Sequence, residues 1–171
     1  VTIIQALLLK FKPANMDVLP LYIVLLMAFP FVLWLLIRKA SVALALSVAL
    51  YVLTWECGWN LESCPTGHWF FNPFAWQLLF VFGAWCALGG ATRLAPALRS
   101  PVTVWLAIAY LAFAFGVTLT WYFPRLGFLI PHWLGEWMYP IDKTNLDVLR
   151  FAHFLALAAL TVRFIPRDWP V

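Results

Sequence analysis

Charge is what this chain has least of. Asp, Glu, Lys and Arg make up 11% of its residues, against about 25% in an average soluble domain. That excludes an ordinary water-facing surface. The shortage is concentrated: the twenty residues from Val18 to Ile37, VLPLYIVLLMAFPFVLWLLI, hold no charged side chain, and Arg38 and Lys39 follow at once. Also absent are a Walker loop, a dinucleotide fingerprint, an HExxH pair and a nucleophile elbow, so none of the chemistries those motifs carry is announced. Cys57, Cys64 and His68 lack a defined fourth ligand, and no metal site is expected. The net charge of +4 does not indicate nucleic acid. The Lys and Arg residues stand in ones and twos at the ends of apolar runs, where they anchor membrane helices.

What is present is apolar: 65% hydrophobic residues, a mean hydropathy of +0.91 and 11 Trp. A helix of twenty residues rises about 30 Å, the thickness of the hydrocarbon core of a bilayer. The apolar runs are Val1 to Leu9, Val18 to Ile37, Val42 to Trp55, Phe74 to Ala91, Pro101 to Phe123 and Val148 to Ile165. They predict an all-α polytopic transmembrane bundle of about five spans plus the end of a sixth. The stretch FLIPHWLGEWMYP from Phe128 to Pro140 is expected to lie in the interface as a short amphipathic helix or re-entrant piece. The chain opens inside an apolar run with no charged leader region and closes directly after a span, and it reads as an internal portion, residues 1–171, of one larger membrane domain.

Positive residues set the expected orientation. Arg38 and Lys39, Arg93 and Arg99, and Arg163 and Arg167 should face the cytoplasm. The loops Glu56 to Pro73 and Pro124 to Asp147 should face outward, although Lys10 and Lys12 then fall on the outer side, against the rule. Cys57 and Cys64 share the first of these loops, where a disulfide is chemically allowed but not decided by spacing.

Under this topology the spans beginning near Val18, Phe74 and Val148 enter from the outer face, each behind a polar cluster: PANMD, FFNPFAWQ and DKTNLDVLRFAH. The clusters supply Asn15 and Asp17, then Asn72 and Gln77, then Asp142, Lys143, Asn145, Asp147, Arg150 and His153. Capping explains Asn and Asp before a helix. It does not explain Gln77, Arg150 or His153, which lie inside apolar helices where ionisable groups are costly and turn to a polar interior. Asp147, Arg150 and His153 fall within about 120° of one helical face, a single stripe that is either interhelical glue or part of a site. The aromatics Trp55, Trp59, Trp69, Phe70 and Phe71, with Trp133, Trp137 and Tyr139, form an interfacial belt or platforms for sugar stacking.

Three separated segments, NMDVLPLYIVLL (Asn15 to Leu26), WFFNPFAWQLLFVFGAW (Trp69 to Trp85) and PIDKTNLDVLRFAHFLALA (Pro140 to Ala158), resemble the OpgC-type proteins that succinylate osmoregulated periplasmic glucans, a branch of the integral-membrane acyltransferases. The resemblance runs through nearly the whole chain. It implies transfer of an acyl group, succinyl from succinyl-CoA, to hydroxyls of a β-glucan. The setting it implies is the bacterial inner membrane, with the polar site toward the periplasm. It also implies that a His-bearing catalytic motif lies upstream of Val1. No bound cofactor is expected; acyl-CoA is a co-substrate, and the partners are the glucan, the donor and the lipid bilayer.

O-acyl transfer needs a base near the sugar hydroxyl and donors for the tetrahedral oxyanion. Asp17, Asp147, Arg150 and His153 are the expected catalytic residues. Asn15, Asn72, Gln77, Asp142, Lys143, Asn145 and Trp69 are the expected substrate contacts. Asp17, Asp142 and Asp147 suit a hydroxyl; Lys143, Arg150 and Gln77 suit a carboxylate or oxyanion. The rival reading is a transporter of a small polar or anionic solute, with polar residues and a Pro30-broken helix along its path, though the halves show no convincing repeat. A purely structural subunit is the third. A cysteine introduced at Thr66, in a background without Cys57 and Cys64, is expected to react with an impermeant thiol reagent from the outer side. Labelling from the cytoplasm alone would reverse the orientation.

Overall fold

A computed structural model of the chain describes residues 18–63, 67–123, 125, 127, 130–138 and 142–164. The described residues are helical, without strands. In chain order the helices are α1 (Val18–Cys57), α2 (Pro73–Trp85), a π-helical turn (Cys86–Gly90), α3 (Ala91–Arg99), α4 (Pro101–Tyr122), α5 (His132–Met138) and α6 (Val148–Phe164). They divide into two compact units. The first comprises residues 1–91 with Asp142–Leu146, and the second Thr92–Ile141 with Asp147–Val171.

In the first unit the main event is at Lys39, whose backbone (φ −146°, ψ 72°) leaves the helical region in the middle of the 40-residue α1. Two contacts show what this does. The ring of Phe29 meets that of Phe80 edge-on at 5.4 Å, and the hydroxyl of Ser47 reaches Gln77 at 2.7 Å. Phe80 lies one helical turn from Gln77, yet along a straight helix Phe29 and Ser47 would be about 27 Å apart at 1.5 Å per residue. The arms on either side of Lys39 therefore fold back, and both pack on α2. Leu36, Ala43 and Val81 form the buried core of this arrangement, with Val32, Leu35, Leu44, Ala84 and Trp85 around it. Ala43, Ser47 and Thr54 line the buried side of the second arm. Small side chains there let backbones approach, as helix packing in lipid requires.

Asn72 and Pro73 begin α2, Asn72 as its cap and Pro73 in the first turn. Proline is suited to that place because its missing N–H is not needed there. The π turn that follows α2 contains Gly89 at φ +99°, a conformation that favours glycine. Gly90 is held by proximity instead: a Cβ there would collide with the indole of Trp85 and sit 2.7 Å from the Trp85 carbonyl oxygen.

In the second unit α4 packs against α6, and Ala107 on the one and Ala156 and Ala159 on the other are buried. The expected interfacial segment contains α5, a helix of 7 residues. Large apolar side chains turn outward across the molecule; Met27 is 77% exposed, as lipid-facing residues are.

Three described helices are long and apolar enough to cross a bilayer: Val18–Cys57, Pro73–Arg99 and Pro101–Thr120. The runs Val18 to Ile37 and Val42 to Trp55 form the two arms on either side of the kink at Lys39 within the first of these, and α6, at 17 residues, sits at the short limit for spanning, so three helices meet the length requirement where about five spans are expected. The run Val1 to Leu9 lies outside the described residues. Gly90→Ala is expected to destabilise the protein by about 1–3 kcal/mol, the usual cost of forcing a methyl into a packed site, read as a lowered melting temperature in detergent. An unchanged melting temperature would mean that Trp85 moves aside freely.

Candidate functional site

Polar side chains gather in each unit, and each gathering can be built from its backbone. In the first unit the segment Asp142–Leu146 is a turn organised by one carboxylate. Asp142 Oδ1 accepts from the backbone N–H of Thr144 at 2.7 Å and of Asn145 at 3.3 Å, and Oδ2 accepts from Asn145 Nδ2 at 2.7 Å. An Asp that bonds the backbone two residues on is the usual device for such a turn. The turn ends at Leu146, 2% exposed and at φ +51°, a left-handed conformation that costs a residue with a Cβ about 1–2 kcal/mol.

External donors hold the turn in place. Trp76 Nε1 donates to the Thr144 carbonyl at 3.0 Å, Trp55 Nε1 to that of Asn145 at 3.1 Å, and the Tyr51 hydroxyl to that of Leu146 at 2.8 Å. The backbone N–H of Asn72 adds a second bond to Thr144 at 3.1 Å. Consecutive carbonyls are thus tied to α1 and α2 by aromatic N–H and O–H groups, whose apolar bodies suit a membrane interface.

Asn72 joins the parts. Its Oδ1 accepts from Phe74 N–H at 3.1 Å, capping α2, while its Nδ2 donates to the Trp59 carbonyl and to Asn145 Oδ1, the latter at 2.8 Å. The residue is 0% exposed. Gln77 is committed too: Nε2 donates to the Ser47 carbonyl at 2.8 Å, and Oε1 accepts from the Ser47 hydroxyl. Trp69, 3% exposed, is fixed by its backbone, its N–H donating to Leu61 O at 2.8 Å and its carbonyl accepting from Asn60 Nδ2 at 2.9 Å.

In the second unit Asp147 caps α6, its Oδ1 accepting from Leu149 N–H at 2.8 Å and its carbonyl from the N–H groups of Arg150 and Phe151. The hydroxyl of Tyr110 on α4 donates to the Leu149 carbonyl at 2.6 Å. The Tyr110 ring stands edge-on to His153 at 6.2 Å. Arg150 is half-buried, and its Nε is fully buried without a hydrogen-bond partner among the described residues.

Set against the expectations, the first unit gathers Asn72, Gln77, Asp142 and Asn145 into structural bonding. Asn72 and Trp69 are both buried, at 0% and 3% exposure. Lys143 stands exposed on the same turn. The second unit gathers Asp147, Arg150 and His153 on α6, and it adds Tyr110, which sequence reasoning missed. A lone Tyr in an apolar run carries no signal of its partner. Tyr51, Trp55 and Trp76 as turn-holding donors, and Ser47 as the partner of Gln77, were missed for the same reason. Asn15 and Asp17 lie outside the described residues, as does Cys64.

Residues 1–171, the whole chain, match the family described as OpgC protein. The chain belongs to the OpgC family. This is a membrane-protein family associated with acyl transfer in the modification of osmoregulated glucans. No curated protein and no solved structure matches the chain.

Asn72→Ala strips the α2 cap and leaves the Asn145 side chain and the Trp59 carbonyl short of a partner. It is expected to cost about 2–4 kcal/mol, combining a lost cap with buried groups left unsatisfied. Thermal unfolding in detergent measures this, and a loss below about 0.5 kcal/mol, the level of an inconsequential surface change, would show that water replaces the amide.

Proposed function

We propose that the protein acts in the transfer of a succinyl group from succinyl-CoA to hydroxyls of osmoregulated periplasmic β-glucans. We place it in the bacterial inner membrane with its polar site toward the periplasm. The observation that carries this reading is the family match along the full length of the chain. The polar stripe on α6 supports it, since an apolar helix keeps Arg and His near its start only where they face something polar.

In the proposed reaction the sugar hydroxyl oxygen bonds to the acyl carbonyl carbon and the carbon–sulfur bond of the thioester breaks. The hydroxyl proton passes to a base and ends on the departing CoA thiolate. His153, beside Tyr110, is the proposed proton acceptor, and Asp147 the group that orients the hydroxyl. Asn72, Asp142 and Asn145 hold the turn ahead of α6, while Lys143 is free to meet an anionic group. Gln77 keeps the second arm of α1 on α2.

Each succinyl half-ester adds a negative charge to the glucan, so anion-exchange chromatography of extracted glucans reads the activity directly. A strain lacking the full-length gene is expected to yield glucans depleted in succinyl charge, restored by the wild-type gene. Restoration should fail with His153→Gln although the protein reaches the membrane. Glucans of unchanged charge in the deletion strain would overturn the reading.

A further inference from the structure

Arg150 is poorly explained as a structural residue. It occupies the third position of α6, after Asp147 as cap and Val148 and Leu149 as the first helical residues. A cation there opposes the positive end of the helix dipole. An arginine that merely snorkels to the interface keeps its nitrogens in water and buries its methylenes. Arg150 does the reverse at one atom: its Nε is buried and has no hydrogen-bond partner among the described residues. A buried N–H beside a full positive charge is costly to leave unmet.

The first turn of α6, which carries Arg150, is ordered. Tyr110 is fixed to the Leu149 carbonyl at 2.6 Å, directly before Arg150. His153, one turn on, lies against the Tyr110 ring. Asp147 is engaged in capping through Oδ1. Guanidinium Nε and its neighbouring Nη form a planar two-donor edge that matches the two oxygens of a carboxylate, which a lysine cannot imitate. The Nε of that edge is the buried atom without a partner among the described residues.

We infer that Arg150 is the specificity residue for the acyl donor: its Nε edge pairs with the free carboxylate of a dicarboxylic acyl group, so that the protein selects a half-ester-forming donor over a monocarboxylic one. This rests on the acyl-transfer reading given above. The same edge would also fit a lipid phosphate, and the comparison of donors separates the two.

The test uses membranes containing the full-length protein, neutral glucan as acceptor, and succinyl-CoA or acetyl-CoA as donor. Wild type is expected to prefer succinyl-CoA. Arg150→Gln should raise the KM for succinyl-CoA by tenfold or more, as loss of a charge-assisted pair does, and should lower transfer from acetyl-CoA far less. The donor preference should then collapse. Arg150→Lys should fall between, keeping the charge and losing the fork, and it carries the test if Arg150→Gln does not accumulate. Equal losses with both donors in the variants would overturn the inference in favour of a lipid or purely structural role. A wild-type protein indifferent to the donor would also overturn it, leaving acyl transfer itself intact, whereas transfer from neither donor would sink the underlying reading.

Discussion

The side-chain amide of Asn72 is the constraint on which the polar end of the first unit depends. Buried to 0% exposure, it caps α2 and donates to the Trp59 carbonyl and to Asn145 Oδ1. Both of its N–H donors are used, as is its carbonyl. An amide in such a place has no alternative partner to fall back on, because the surrounding helices and aromatics are apolar. Leaving a buried polar group unmet costs more than a made bond contributes, so the position tolerates little but Asn. Asp lacks the donors and Leu the whole set.

From Asn72 the bonding passes outward. Asn145 leads to the Asp142 carboxylate, and the carbonyls of the turn lead to Trp76, Trp55 and Tyr51. The left-handed Leu146 is held by that bonding and by its own burial. On the other side of α2, Gln77 ties the helix to Ser47, and the fold at Lys39 brings Phe29 onto Phe80. In lipid, apolar burial contributes little to helix association, so small residues in close contact and hydrogen bonds between helices carry the specificity. Ala43, Ser47 and Thr54 on one side and Gln77 on the other are residues of that kind.

The polar residues accordingly fall into two groups. Those of the first unit are largely consumed by one another and by the backbone. On α6, Arg150 Nε is buried without a hydrogen-bond partner among the described residues. A chain that spends so few charged residues, 11% of the total, and places one cation with a buried unmet donor at the unfavourable end of a helix departs from local stability, and such departures mark function more often than architecture.

Sequence alone determined the class of molecule: a nearly charge-free composition and runs near twenty residues long admit helices in a bilayer, because no other open structure satisfies its own backbone there. It also determined the family, through the segments around Asn72 and Asp142, and the stripe of Asp147, Arg150 and His153, because helical periodicity is local. What it did not disclose was which polar groups meet. That Asn72 would bond Asn145, that Gln77 would find Ser47 in the middle of an apolar run, and that Tyr110 would hold Leu149 are contacts between residues 30 to 73 positions apart. The break between the first two full-length apolar runs was legible, by contrast: the charged pair Arg38 and Lys39 ends the first run, and Lys39 is the residue that leaves helical geometry. Periodicity reports which face of a helix is apolar; the choice of partner is made by packing, where donors and acceptors far apart in sequence must be matched in the absence of water.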